Sequence, residues 1–562
     1  MALSAWVHPA AICFILLSGS NASADGSRQP NAAPDTGEPR IVNIINFIRL
    51  LEPRSAEITE DVLYQTVVEQ IRIMSAYKLR GTFLLQYDAL MDPRYQKLLA
   101  SVPPGTFEVG AWWEIPQPLV ERAGMKWRGR FPWDWYANVG FSTGYTPDER
   151  EKLVDVYMED FRKIFGYYPA SVGSWFIDAH TLKYMYEKYH IKASCNCKDQ
   201  YGTDGYTLWG GYWSGAYFPS RLNSYMPAQH EESQIPVPIF RMLGSDAVRQ
   251  YDQSLTPNGQ SVLTLEPVYQ SGGGDSSWVH WYFRQFLESV SLGFNYAQTG
   301  QENSFTWAAM AKGFNIQMPL IAKLRDEDRI RVETLEESGK WFRERYAVTP
   351  ATSLTVKKDL DGSDRKTTWF NSRFYRVNLL WEHGRLRVRD VHLFDERLPS
   401  FYTLGKATSN DCAFFTLPFV EGYLWSSKDE AAGLVVKAII GGKEVLMEGA
   451  DPTFSEPEHG VLQVSWPLRN TSGTLVIQMD EKTVRMEMQS PDSVSWFLEL
   501  RAAKRDALPY TKISRTRVDC RFEGMNYSVG AERGRFDGSA VGGSLRIVPG
   551  ERSIVLNFAE RK

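Results

Sequence analysis

From Ile41 to about Leu335, short apolar runs of strand length alternate with longer segments whose apolar residues recur at helical spacing. The runs are IVNIINF, GTFLLQY, FEVGAWW, SVGSWFI, IKASCNC, VPIFRML, SVLTLEP and LGFNYAQ. Uninterrupted apolar strands separated by amphipathic helices predict seven or eight βα units and a parallel sheet closed, or nearly closed, into an α/β barrel. The helix signals agree. After Thr59, the residues Leu63, Val67, Ile71 and Met74 share one face. In YTPDER, Thr146 and Glu149 make a capping box with Pro147 at the first helical position. Leu153, Tyr157, Phe161 and Ile164 then continue one apolar face to a stop at Gly166.

Beyond Trp341 the period changes to two. Leu386 and Val388 alternate with Arg385, Arg387 and Arg389, and Val484, Met486 and Met488 alternate with Arg485 and Glu487. With SWFLEL and SIVLNF, these predict half-buried antiparallel strands and a large all-β sandwich. The chain therefore divides into a barrel over residues 41–340 and a β-sandwich over 341–562. The join, EESGKWFRERYAVTP, has no long Gly/Ser linker, so the two are expected to pack together.

The amino-terminal part changes the picture of location. A short apolar run from Ala10 to Leu17 precedes Ala22-Ser23-Ala24, an A-x-A cleavage pattern. Residues 1–24 read as a signal peptide and 25–40 as a flexible leader, which predicts a secreted or periplasmic protein. The apolar run is too short to span a bilayer. The net charge of −4, with no basic block, excludes a nucleic-acid partner. Of five cysteines, Cys13 falls in the signal segment. Cys195 and Cys197 are too close in sequence for a stapling disulfide, and no second C-x-C or His pair completes a zinc set, so buried thiols are expected.

One acid stands out in GSWFIDAHTLKYM. Asp178 follows an apolar run and precedes a helical segment, with His180 two residues on. At the carboxyl end of a barrel strand it would face the mouth where substrates sit. The alternative is an N-cap that accepts backbone N–H bonds from the helix.

The stretch from FEVGAWWEI through YTPDEREKLVDVYMEDFRKIFGYYPASVGSWFIDAHTLKYMYEKYHIKAS resembles the NodB-like polysaccharide deacetylases and the related barrels of glycoside hydrolase families 57 and 38. The deacetylase metal ligands are replaced: Asn46 to Arg49 stand where the acid pair is expected, and Trp112 and Pro116 where two histidines are expected. Losing a carboxylate and two imidazoles removes a metal-dependent mechanism. Gly173-Ser174-Trp175-Phe176-Ile177-Asp178 looks like the hydrolase element that carries the nucleophile. The resemblance thus implies a glycoside hydrolase working on a carbohydrate with two carboxylates, Asp178 among them, and without metal or other cofactor. Two alternatives stay open: a non-catalytic carbohydrate-binding protein and a divergent deacetylase.

A glycosidase needs a second carboxyl group. Glu302, in a polar cluster after the last barrel strand, is the first choice, followed by Glu266 and then Asp275. Glu302 could instead cap the helix containing Trp307, and Glu266 could hold a neighbouring Arg. The loop CKDQYGTDGYTLWGGYW, rich in aromatics, glycines and acids, offers Asp199 and Asp204 for sugar hydroxyls and Trp209 as a stacking platform. Eight of the 18 tryptophans fall between Trp112 and Trp213, which favours a carbohydrate pocket. Trp112, Trp113 and Glu114 follow the third strand and are further binding candidates. Arg49, after the first strand, could pair with a substrate carboxylate or with an enzyme acid such as Glu52 or Asp88.

Overall fold

The computed structural model of the protein describes residues 38–51, 54–103, 105–249, 251 and 263–559. The signal segment and most of the leader expected from the sequence lie outside these residues. In chain order the strands of the first half are β1 (Arg40–Ile48), β2 (Gly81–Leu85), β3 (Phe107–Trp112), β4 (Ser171–Gly173) and β5 (Ala193–Asn196). They continue with β6 (Gln200–Thr203), β7 (Tyr206–Trp209), β8 (Ala216–Tyr217), β9 (Ile239–Arg241), β10 (Asn295–Thr299) and β11 (Arg331–Glu333).

Seven of them lie parallel in the order β10-β1-β2-β3-β4-β5-β9, a nearly closed barrel. The rings of Phe240 in β9 and Tyr296 in β10, 4.9 Å apart, bridge the open seam. β8 lies antiparallel along β9, and β11 adds to β1. Parallel strands are covered on both faces, which is why β1 reads as a nearly unbroken apolar run. Its two amides, Asn43 and Asn46, are fully buried and hydrogen-bonded: Asn43 Nδ2 donates to Glu333 O at 2.9 Å, and Asn46 Oδ1 accepts from Gln70 Nε2 at 3.2 Å. Seven of the eight apolar runs are these barrel strands. The eighth, SVLTLEP, makes no strand among its described residues, and Thr264 forms a single antiparallel bridge to Ser245.

Helices follow the sequence signals closely. Thr59 caps Glu60–Ala76 by accepting from Val62 N–H, and the Thr146/Glu149 capping box opens Pro147–Phe165, which ends at Gly166 in the left-handed region. Among the described residues no helix is long and apolar enough to cross a membrane. Cys195, Cys197, Cys412 and Cys520 are buried free thiols.

The C-terminal part forms two large antiparallel sheets, of ten and eight strands. Tyr375 stacks on Phe558 at 4.5 Å, and Trp381 meets Phe454 at 5.8 Å, contacts that run from one sheet to the other. In the eight-stranded sheet the expected alternation holds: Val484, Met486 and Met488 are buried between half-exposed Arg485 and Glu487. Strand Arg385–Leu393 departs from it. Arg387 and Arg389 are buried along with Leu386 and Val388, Arg387 by donating to Ala432 O within the C-terminal part and Arg389 by turning towards the barrel. Arg389 Nη1 donates to Val248 O at 2.9 Å.

The described residues form one compact unit. Strand Cys412–Phe415 adds in parallel to β7, extending the β6–β7 hairpin into a three-stranded sheet. Trp213 stacks flat on Trp369, with centroids 3.8 Å apart and planes 3° from parallel. Beside them, buried Arg376 bridges Asp199 of the barrel (2.6 Å) and Asp390 of the sheet (2.7 Å). Removing one member of a buried ion pair strands the others without solvent, so Arg376→Leu should lower unfolding free energy by about 3–5 kcal/mol in urea titration. For the same reason a barrel fragment ending near Leu335 is expected to be insoluble, since it exposes Trp209, Trp213 and Asp199.

Candidate active site

Several side chains stand immediately beyond the carboxyl ends of barrel strands: Arg49 after β1, Trp175 after β4, Lys198 after β5, Leu243 after β9 and Glu302 after β10. In a parallel barrel this is the end where loops converge. All five line one cavity of about 380 Å³, together with Glu266. Its walls are aromatic, with Trp133, Trp135, Tyr206, Tyr269 and Phe305 beside Trp175.

The floor is set by stacking. Trp112 lies flat on Phe47 at 3.9 Å, and Trp175 meets both rings edge-on at 5.6 and 5.4 Å. Trp112 therefore supports the cavity from beneath and does not line it.

Arg49 organises the charge. Its Nε and Nη2 donate to Glu114 Oε2 and Oε1 at 2.9 and 2.5 Å, a two-point grip, while Nη1 is ion-paired with Glu302. The guanidinium also stacks over the Trp133 ring at 4.7 Å. Glu302 reaches this place because Gly300 turns the chain at φ +108°. A Cβ there would fall 2.0 Å from Ile45 O, so no other residue fits without moving β1.

Glu266 occupies a different environment. Its Oε2 accepts from Thr264 Oγ1 at 2.9 Å and its Oε1 from Gln301 Nε2 at 3.3 Å. Burial pushes its carboxyl above the usual carboxylate range, against the opposing pull of the Thr264 hydroxyl, the Lys198 charge and Gln301. Lys198 is also buried, and burial lowers its ammonium pKa.

The residues do not fit the metal that the deacetylase resemblance would imply. Asn46 Oδ1 is engaged by Gln70 Nε2 and by Gln301 N–H at 3.1 Å, Trp112 is packed under the floor, and Pro116 precedes a helical turn. Among the described residues, the one trio with ligand spacing is Asp390, His392 and Glu421, at the barrel–sheet contact. Its oxygens already accept from Arg376, Tyr251, Trp209 and His392.

No family model and no curated protein matches the chain. Solved structures do, at low identity. A candidate glycoside hydrolase/deacetylase from Parabacteroides distasonis is 16% identical with a TM-score of 0.48, covering 67% of this chain and 89% of its own. A candidate polysaccharide deacetylase from Mycobacterium smegmatis is 13% identical with a TM-score of 0.35, over 59% and 97%. A family 57 branching enzyme from Thermococcus kodakaraensis is 8% identical with a TM-score of 0.30, over 54% and 71%. All three scores lie below 0.5, so function has to be read from the cavity itself.

Of the residues singled out in the sequence, Arg49, Asp204, Glu266 and Glu302 line the cavity and Glu114 touches it through Arg49. Asp204 sits on the rim in an Asp-Gly turn with positive φ at both residues, between β6 and β7. The others lie elsewhere. Asp178 caps helix Ala179–Tyr189: Oδ1 accepts from Thr181 N–H and Arg150 Nη1, both at 2.9 Å, and Oδ2 from Ser142 and Thr181 hydroxyls at 2.7 Å. With every acceptor position used and no exposure, it does not reach the cavity. His180, on the same helix, pairs with Glu151 at 3.0 Å. Asp199 is held by Arg241 and Arg376, Trp209 donates to Glu421 at 2.7 Å, and Trp113 is in the core. Asp275 caps helix Ser276–Glu288 by accepting from Trp278 N–H.

The structure also bears on the other roles open to the remaining acids. Thr306, not Glu302, precedes helix Trp307–Asp326, and Glu302 makes no cap hydrogen bond to the short turn that follows it. Asp88 accepts from Leu50 and Leu51 N–H, and Glu52 lies outside the described residues. Lys198, Trp133, Trp135, Trp175, Tyr206 and Tyr269 were not singled out as site residues. Lys198 and Trp175 were findable, since each stands two residues past its strand.

Asp178→Ala should therefore cost about 3–5 kcal/mol of stability, the range for one-sided loss of a buried ion pair. Asp178→Asn should cost less, since the amide oxygen still accepts from Thr181 N–H. In both, turnover per folded molecule should stay near wild type, checked by denaturant midpoints alongside active-fraction assays.

Proposed function

We propose that the protein is a glycoside hydrolase in which Glu266 is the general acid and Glu302 the carboxylate. One observation carries this reading: two acids share an aromatic-walled cavity in opposite electrostatic settings. Glu266 is desolvated, which favours its protonated form, while Glu302 is ion-paired with Arg49. A pair whose surroundings push the two protonation states apart is what glycosidic cleavage needs.

In this scheme the sugar stacks its C–H faces on Trp175 and Trp133 or on Tyr206. Glu266 protonates the leaving oxygen. Glu302 meets the positive charge growing at the anomeric carbon, either as nucleophile or as base for water. Arg49, gripped by Glu114, keeps Glu302 oriented. The assignment reverses the order expected from sequence, where Asp178 and Glu302 formed the pair.

Glu266→Gln should lower kcat/KM on unactivated glycosides by about 10²–10⁴-fold, and by much less on aryl glycosides whose leaving group needs no proton. Glu302→Gln should reduce both alike. Because Glu266 must be protonated, activity should hold below its pKa and fall as pH rises through it, above the ordinary carboxyl range. Glu266→Gln should lack that alkaline limb. A panel of aryl glycosides and natural glycans, assayed across pH, checks all three. Binding without turnover on every member would leave a carbohydrate-binding protein instead.

A further inference from the structure

The cavity holds two cations, and they are not equivalent. Arg49 is fully engaged by Glu114 and Glu302. Lys198 is 6% exposed, and its ammonium has one hydrogen-bond acceptor, the Asp199 carbonyl at 3.2 Å. Among the described residues no carboxylate lies within ion-pair distance of it. The nearest in sequence, Asp199, cannot serve, since Arg241 (2.9 Å), Arg376 (2.6 Å), the Tyr225 hydroxyl (2.5 Å) and Gly210 N–H (3.0 Å) already occupy its two oxygens.

A buried ammonium with three donors and one neutral acceptor is costly unless an anion joins it. The cavity has room for one. Arg49 is shared by Glu114 and Glu302 and balances one of their two charges, while desolvation favours the neutral form of Glu266, so Lys198 is the cation left for an incoming anion. We infer that the substrate is an acidic glycan and that Lys198 binds the carboxylate of a uronic acid residue. This rests on the glycosidase reading and names its substrate class.

The test uses the full-length protein and titration calorimetry. The probes are glucuronate- and galacturonate-containing oligosaccharides, the same compounds with their carboxyls reduced to alcohols, and sulfated counterparts. Wild type should bind at least one uronate series about 10-fold or more tightly than its reduced form. Lys198→Met should bring that ratio close to one, and Lys198→Arg should keep part of it. If Lys198→Met folds poorly, the wild-type ratio still decides the matter. Equal or tighter binding of the reduced compounds overturns the inference, as does a preference for sulfate esters over uronates. So does a Lys198→Met variant that keeps the ratio but moves the alkaline limb of the pH profile, which would make Lys198 a positioning residue for Glu266. Hydrolysis of neutral glycosides with no acidic preference would overturn the uronate assignment while leaving the hydrolase reading intact. Absence of binding and turnover on every saccharide would remove both.

Discussion

The Asp199 carboxylate is the interaction on which most of the molecule depends. It lies in the loop leaving β5 and receives donors from three directions: Arg241 on β9, Arg376 on the ten-stranded sheet, and Tyr225 from the segment between β8 and β9. Its neighbours in the chain are Lys198 and Gln200, both of which line the cavity, and beyond them the β6–β7 hairpin supplies Thr203, Asp204 and Tyr206. One buried charge therefore fixes the barrel wall and the position of the β domain together. The domain is a structural part of the site, because without Arg376 two of the strongest bonds around this loop disappear and Arg241 keeps an ill-supported partner.

A second charge, Arg49, organises the acids of the cavity. Arg49 follows β1 and its guanidinium lines the cavity. A planar cation can hold Glu114 with two bonds and still face Glu302 with a third. The mouth thus brings its own cation, with two acids arranged around it. The remaining acid, Glu266, has no ion pair of that kind, and burial outweighs the Thr264, Lys198 and Gln301 contacts that pull the other way, so the two carboxyls differ.

Asp178 shows how a local pattern can point two ways. An acid between an apolar strand and a helix suits either a barrel mouth or a helix cap, and both readings predict the same residue at the same place. The side chain's direction was settled by partners distant in sequence: Ser142 from a turn and Arg150 from the preceding helix, the latter also bonded to Tyr402 and Gly405 carbonyls. Arg150 carried no signal of its own, being one charged residue on an amphipathic helix.

By itself the amino-acid sequence determined what depends on near neighbours. The parallel strands show as apolar runs because both their faces are covered, and the helix starts at Thr59 and Thr146 show because a cap bonds within three residues. The Asp204-Gly205 turn is equally local, although the segment the sequence presents as a loop folds around it into the β6–β7 hairpin. Cavity-lining residues were legible where strand ends could be counted, as with Arg49 and Glu302. Tertiary structure alone decided that both faces of Arg385–Leu393 would be buried, since a row of arginines reads as solvent-facing until carbonyls such as those of Val248 and Ala432 meet it. It also decided that Asp178, Asp199 and Trp209 would turn inward while Glu266 and Lys198 met in one cavity. Burial and charge pairing set these outcomes, and both are properties of residues brought together from far along the chain, so no window of sequence contains them.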